Sequence, residues 1–210
     1  MKSRIRQSAI ALLIVTATGC LAPRVESPPI RTYQLSLDAW HTEARPAAIN
    51  GPVLLVSLPQ AEPGFETSRM VYVRRPYELE YYAMNQWSDT PARMLTPLLV
   101  QALGRTGIWH AVVPLPGSFY GDYRLDTYGL ALQHEFLKQP SRVRVVVRAQ
   151  LIDLKESKVV GTRAFDVAEE APSEDAYGGV QAANRAIATM LDFMASWLQE
   201  CVRRSPECGR

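Results

Sequence analysis

An α+β fold, with a mostly antiparallel mixed sheet of five to seven strands and two main helices packed on one face, is what this sequence predicts. Three observations carry that expectation. Residues 123–167 contain three successive long segments in which apolar and polar side chains alternate, the period of strands with one wet face. Residues 91–105 and 173–201 instead repeat apolar side chains at spacings of three and four, the period of a helix. Beyond about residue 31 no linker, low-complexity stretch or internal repeat interrupts the chain, so residues 32–210 read as one α+β domain.

The elements follow in order. Tyr33, Leu35 and Leu37 alternate with Thr32, Gln34 and Ser36, as in a half-buried strand. Asn50-Gly51-Pro52 signals a turn, and residues 53–58 form an apolar strand closed by Pro59. Residues 70–73 and 79–82 are short strands around Pro76 that pair as a hairpin. In the first helix Met94, Leu95, Leu98, Leu99, Ala102 and Leu103 make the buried stripe, with Thr90 as N-cap and Pro91 at the first helical position. Pro97 lies inside it, and the missing N–H costs about 3 kcal/mol. Either the helix kinks there or its regular part begins near Thr96.

Residues 108–113 are the next strand. The meander then runs through residues 123–136, 141–154 and 159–167. In its middle strand Val143, Val145, Val147, Ala149 and Leu151 face one way, and Arg142, Arg144, Arg148 and Gln150 the other. The last helix carries a stripe from Val180 and Ile187 to Leu198 and Cys201, with Pro172-Ser173 as boundary and cap. Gly178-Gly179 would delay its regular part by a turn.

The chain has 210 residues, 47% hydrophobic and 21% charged, a balance that suits an ordinary buried core and excludes the disordered class. Its formal charge of +2 offers no concentrated basic face for nucleic acid. Lys2, Arg4 and Arg6 precede an apolar run at residues 9–15 that is too short to span a bilayer, and Gly19-Cys20 follows. Residues 1–19 therefore read as a secretory leader with a lipobox, and the segment resembles a bacterial lipoprotein signal. That resemblance implies cleavage before Cys20, a diacylglycerol on its sulfur and an acylated amine. Without its leader the chain loses three positive charges and is nearly neutral. Leu21 after Cys20 favours the outer membrane, periplasmic face, and residues 20–31 are a lipidated Cys and Pro-rich tether with a reach of roughly 30 Å.

His41, His110 and His134 have no partner at metal-ligand spacing, so no metal is expected. A nucleophile elbow, phosphate loop and dinucleotide fingerprint are missing, so no enzyme chemistry and no cofactor beyond the acyl groups on Cys20 are expected. Cys201 and Cys208, in an oxidising compartment, either form a disulfide that fastens the tail or remain a core residue and a free thiol. The row Arg142, Arg144 and Arg148 is either a solvated face or a contact for an anionic headgroup or acidic partner. Tyr72, Tyr77, Tyr81, Tyr82 and Trp87 lie within sixteen residues; aromatics with arginine are enriched at interfaces, and core packing explains them nearly as well.

Several stretches resemble the ABC-type transport auxiliary lipoprotein family: Tyr33-Gln34-Leu35, Leu58-Pro59, Thr67-Ser68-Arg69-Met70-Val71-Tyr72, and the run from Tyr81-Tyr82 through Asn85-Gln86-Trp87-Ser88-Asp89-Thr90-Pro91. Tyr123-Arg124-Leu125, Leu151-Ile152-Asp153 and Ala182-Ala183-Asn184 are similar too, so the likeness spans roughly residues 32–200. It implies a docking component, without ATP binding of its own, that works with an ABC permease and ATPase and an inner-membrane mammalian-cell-entry (MCE) protein. The cargo would be phospholipid or another hydrophobic molecule, and a homo-oligomer is one possible form. The competing expectation is a periplasmic lipid carrier with its own apolar cavity.

Overall fold

Strand alternation and helical periodicity are both realised in the computed structural model, which describes residues 28–38, 43–204 and 208. The leader, Cys20, most of the tether and His41 lie outside the described residues. The chain forms β1 (Arg31–Tyr33), β2 (Val53–Val56), β3 (Arg69–Val73), β4 (Glu80–Trp87), α1 (Pro91–Gly104), β5 (Ala111–Pro114), β6 (Tyr123–Glu135), β7 (Arg142–Asp153), β8 (Lys158–Glu170) and α2 (Ala176–Arg204). The α+β class with two helices is as expected. The strand count among the described residues is eight rather than five to seven.

β6 organises the sheet. One edge pairs antiparallel with β7 from Tyr123↔Asp153 to Glu135↔Arg142, and β7 pairs antiparallel with β8. The other edge takes two partners in turn. β2 runs parallel to its first part, Leu54↔Tyr123 to Val56↔Leu125, and β3 runs parallel to its last part, Val71↔Gln133 to Val73↔Glu135. Between them the chain keeps to the same edge, with the Gln60 and Glu62 N–H groups donating to the Thr127 and Leu130 carbonyls. β5 extends the first part, parallel to β2. β4 extends the second as the expected hairpin with β3, and β1 runs parallel to β4.

The sheet is thus more parallel than alternation alone suggested, because β2 and β3 follow β6 end to end instead of folding back. The register of β6 against β7 shifts between Tyr128 and Ala131, and Gly129 has φ +66°. This is a β-bulge with its left-handed residue supplied by glycine. Leu35 and Leu37 are buried in alternation as expected, but they do not extend β1. The Ser36 N–H bonds instead to Asn184 Oδ1 of α2, at 2.7 Å.

Thr90 caps α1, its hydroxyl accepting from Arg93 N–H, and Pro91 opens the helix. The helix continues on both sides of Pro97, which is exposed, so its regular part does not wait for Thr96. α2 is capped by Asp175, whose Oδ1 accepts the Gly178 N–H at 2.7 Å. Ser173, the expected cap, donates to Asp175 instead, and the helix runs through both glycines without delay. One cluster joins Leu54 and Val56, the buried face of β7 from Val143 to Leu151, Leu95, Leu99 and Leu103 of α1, and Ile187, Met190, Leu191 and Met194 of α2. Each such side chain contributes on the order of 1.5–3 kcal/mol by leaving water.

The bulge gives a test. A Cβ on Gly129 would lie 2.9 Å from Glu62 Oε1, the mobile end of a long side chain, so the cost of Gly129→Ala is mainly that of the left-handed backbone. Urea denaturation should show a loss of about 1–2 kcal/mol, and an unchanged midpoint would mean that the bulge does not hold this conformation.

Candidate functional site

The aromatic run of the sequence folds into one end of the sheet, where β3 turns into β4 and β6 turns into β7. Because β3 lies beside the last residues of β6, the Phe136 N–H donates to the Val73 carbonyl and the two turns are neighbours. Tyr72 packs on Tyr82 with ring centroids 4.7 Å apart and meets the edge of Phe136 at 6.1 Å. Its hydroxyl donates to Glu80 Oε2 at 2.9 Å, and Arg74 bonds both oxygens of the same carboxylate. The arginine bond holds the Glu80 carboxyl below its ordinary range, and the bond to Glu80 raises the Tyr72 hydroxyl. Tyr81 stacks under Arg69 and donates to the Gly64 carbonyl. Tyr77 touches none of these groups and is 106% exposed.

Beneath this end lies a polar network that sequence reasoning missed. His134, buried on β6, meets the Tyr82 hydroxyl through Nδ1 at 3.0 Å and the Ser141 hydroxyl through Nε2 at 2.9 Å. Phe136 covers its ring at 4.2 Å. The first turn of α2 closes over it so tightly that a Cβ on Gly179 would lie 2.6 Å from Nδ1. Glu174 accepts the Ser141 N–H at 2.8 Å and ties that turn to β7. Burial pushes the His134 imidazole below its ordinary pKa, against the opposing pull of Glu174 and Asp175, and pushes the Tyr82 hydroxyl well above the tyrosine range.

A Ser–His pair is the start of a nucleophilic apparatus, but here the second imidazole nitrogen meets a tyrosine rather than a carboxylate, and Ser141 is fully buried. The adjoining cavity, between Met70, Trp87, Leu132, Val143 and Ala183, holds about 10 Å³, room for about one water. This network fixes the helix to the sheet. The signal that could have found it is the hairpin pairing itself, which sets His134 opposite Val143 and so brings Ser141, two residues earlier, diagonally beside it on the same face.

The remaining candidate residues separate. Trp87 is 3% exposed and belongs to the core, so it is withdrawn from the contact surface. Arg142 donates to the buried Glu135 carboxylate at 2.8 Å, across the β6–β7 pair. Arg144 is held by Asp166 of β8, which raises its pKa and lowers that of Asp166. Only Arg148 of the row stands exposed without an ion pair among the described residues. The Cys201 and Cys208 sulfurs are paired as a disulfide, with Cα atoms 4.8 Å apart, and Cys208 is buried against Gly161 of β8.

Two open grooves lie away from the aromatic end. One, about 460 Å³, is lined by Asn50, Asp122, Tyr123, Asp153 and Lys155, with Lys155 and Asp122 paired at 2.6 Å. The other, about 440 Å³, lies between residues 43–46 and the two helices. Among the described residues no three His, Cys, Asp or Glu side chains converge as metal ligands, and no helix is long and apolar enough to cross a membrane.

The profile of the ABC-type transport auxiliary lipoprotein component family matches residues 33–195. The fold is similar to the crystal structure of a Xanthomonas campestris protein, with TM-score 0.71 and 21% identity over 84% of this chain and 97% of that one. It is also similar to the crystal structure of an uncharacterised protein, with TM-score 0.62 and 14% identity over 81% and 99%. At these identities the likeness is one of fold. No curated protein matches the sequence.

The network sets a pH dependence. The folded imidazole titrates below the unfolded value of about 6.5, so the unfolded chain takes up the proton first. The stability that neutral His134 provides is present above that value and is lost as pH falls through it. His134→Gln should cost about 1–3 kcal/mol at pH 8, and the gap between wild type and variant should narrow by pH 5 in urea denaturation. A constant gap would remove the imidazole from the pH response.

Proposed function

The chain belongs to the ABC-type transport auxiliary lipoprotein component family, and from that membership we propose that it is a non-catalytic docking component of an ABC transporter–MCE protein system. In this reading the acylated Cys20 anchors it to the periplasmic face of the outer membrane. The domain then receives the far end of an MCE assembly that carries phospholipid or another hydrophobic molecule across the envelope.

The supporting observation is the family match over residues 33–195, which takes in every strand from β2 to β8, all of α1 and most of α2. The lipobox at Gly19-Cys20 and the prolines of the tether supply the anchor. A carrier would need an apolar cavity the size of an acyl chain. Among the described residues the cavity lined by core side chains holds about 10 Å³, and the two large grooves present charged side chains such as Asp122, Lys155 and Asp192. Docking is therefore the better reading.

The experiment is co-purification of the lipidated full-length protein with its MCE-domain partner from gently solubilised envelopes. Retention of the partner is expected, and its loss from intact, acylated protein would sink the docking role. Cys20→Ala should shift the protein out of the outer-membrane fraction of a density gradient.

A further inference from the structure

The turn between β3 and β4 is strained where it is least packed. The Glu78 N–H donates to the Arg75 carbonyl, Pro76 takes the second position, and Tyr77 takes the third with φ +70°. That is the type II pattern, whose third position normally holds glycine or asparagine. A bulky side chain there costs about 1–2 kcal/mol, and among the described residues the fully exposed Tyr77 ring has no hydrogen-bond or ring partner to offset it. Strain retained at an unpacked aromatic points to a role outside the fold. Beside it Leu79 is 39% exposed and Leu137, on the adjoining β6–β7 turn, is 42% exposed. Arg75 and Lys138 flank them, both exposed, and the exposed Glu78 between Tyr77 and Leu79 lies 4.0 Å from Arg75, an i,i+3 surface pair. An apolar tip with an aromatic ring and long cationic side chains is the composition of a bilayer–water interface contact.

The topology says which surface this tip meets. β1 runs parallel to β4, and β4 runs away from the tip. The chain entering β1 therefore comes from the tip side, through the exposed Ile30. Arg31 sits opposite Asn85, five residues from the tip end of β4, or about 17 Å. Cys20 lies eleven residues before Arg31, a reach of at most about 36–40 Å. The anchor has chain enough to pass the tip and too little to hold it far from the bilayer.

We propose that Tyr77, Leu79 and Leu137, flanked by Arg75 and Lys138, rest in the interface of the membrane that holds Cys20, and so set the orientation in which the domain is presented. This rests on the acylated anchor of the proposed function. Contact through four or five side chains would be too weak alone and is made effective by the tether.

The test uses full-length lipidated protein in phosphatidylcholine–phosphatidylglycerol vesicles carrying lipids brominated at shallow acyl positions. Tyr77→Trp should add emission that the bromines quench at least twofold relative to unbrominated vesicles. Tyr120→Trp is the control, because Tyr120 is 100% exposed and precedes β6 at the opposite end of the sheet; its added emission should be unchanged. Native Trp87, Trp109 and Trp197 are buried, and together with Trp40, which lies outside the described residues, they set the background that is subtracted using the parent protein. Quenching of neither variant, or of both equally, overturns the proposal. Mass spectrometry of the same preparation separates the two readings: an unacylated Cys20 overturns both, and acylated protein with an unquenched Tyr77→Trp overturns this one alone. Tyr77→Gly should raise the Tm while lowering protection of the tip from protease on vesicles; a lowered Tm would show that the tyrosine serves the fold.

Discussion

Everything in the sheet depends on one edge of β6. A strand has two edges, and β6 gives one wholly to β7 and divides the other between β2 and β3. The division requires a change of direction near the middle of β6, and the bulge at Gly129 supplies it. Bulges bend a strand and increase its twist. Each part of the edge then carries its own short extension: β5 beyond β2, and β4 with β1 beyond β3. The core under the sheet is continuous because β7 and β8 are unbroken on the other side and α2 spans both.

That arrangement gives the molecule two unlike ends. The end where β6 begins is polar, with Asp122, Lys155 and Asp153 around an open groove. Lys155 holds the Asp122 carboxyl below its ordinary range there. The end where β6 finishes gathers the tyrosines, the buried His134 network and the first turn of α2. A single mechanical unit results, in which Ser141, His134, Tyr82 and Gly179 lock helix to sheet. The exposed turns beyond it are carried on a rigid base, which is the condition for a contact surface to present a defined shape.

Local pattern made much of this legible. The alternation of β6, β7 and β8 is set by burial on one face, and the periodicity of both helices by burial on one stripe, so these elements could be read to within a few residues. Thr90 and Pro91 could be read because capping is a local transaction between neighbours. Partner choice is not local. Nothing in Val53–Val56 distinguishes a parallel neighbour from an antiparallel one, and Leu35 and Leu37 alternate whether Ser36 bonds a strand or the Asn184 side chain. The same gap explains the site residues. Arg142 and Arg144 looked like a free row until register placed Glu135 and Asp166 beside them. Trp87 could be read as contact or as core because composition cannot tell an interface aromatic from a core one, and its 3% exposure settles it as core. His134 looked isolated because its partners, Tyr82 and Ser141, come from two other strands or turns.

Tyr77 shows what the structure adds that pattern cannot. Gly64, Gly107 and Gly129 meet the demand for positive φ with the residue that bears it at no steric cost. At Tyr77 the demand is the same and the residue is the wrong one for the fold, while Tyr72, Tyr81 and Tyr82 nearby each have a ring neighbour or a hydrogen bond that accounts for them. A fold optimised only for its own stability would place glycine at this turn. Ser157, in the β7–β8 turn, also takes a positive φ of +52° but with a small side chain; at Tyr77 the conflict falls on a bulky residue, at a tip from which β4 runs away and toward which the chain before β1 points, and a contact outside the domain is the physical term that resolves it.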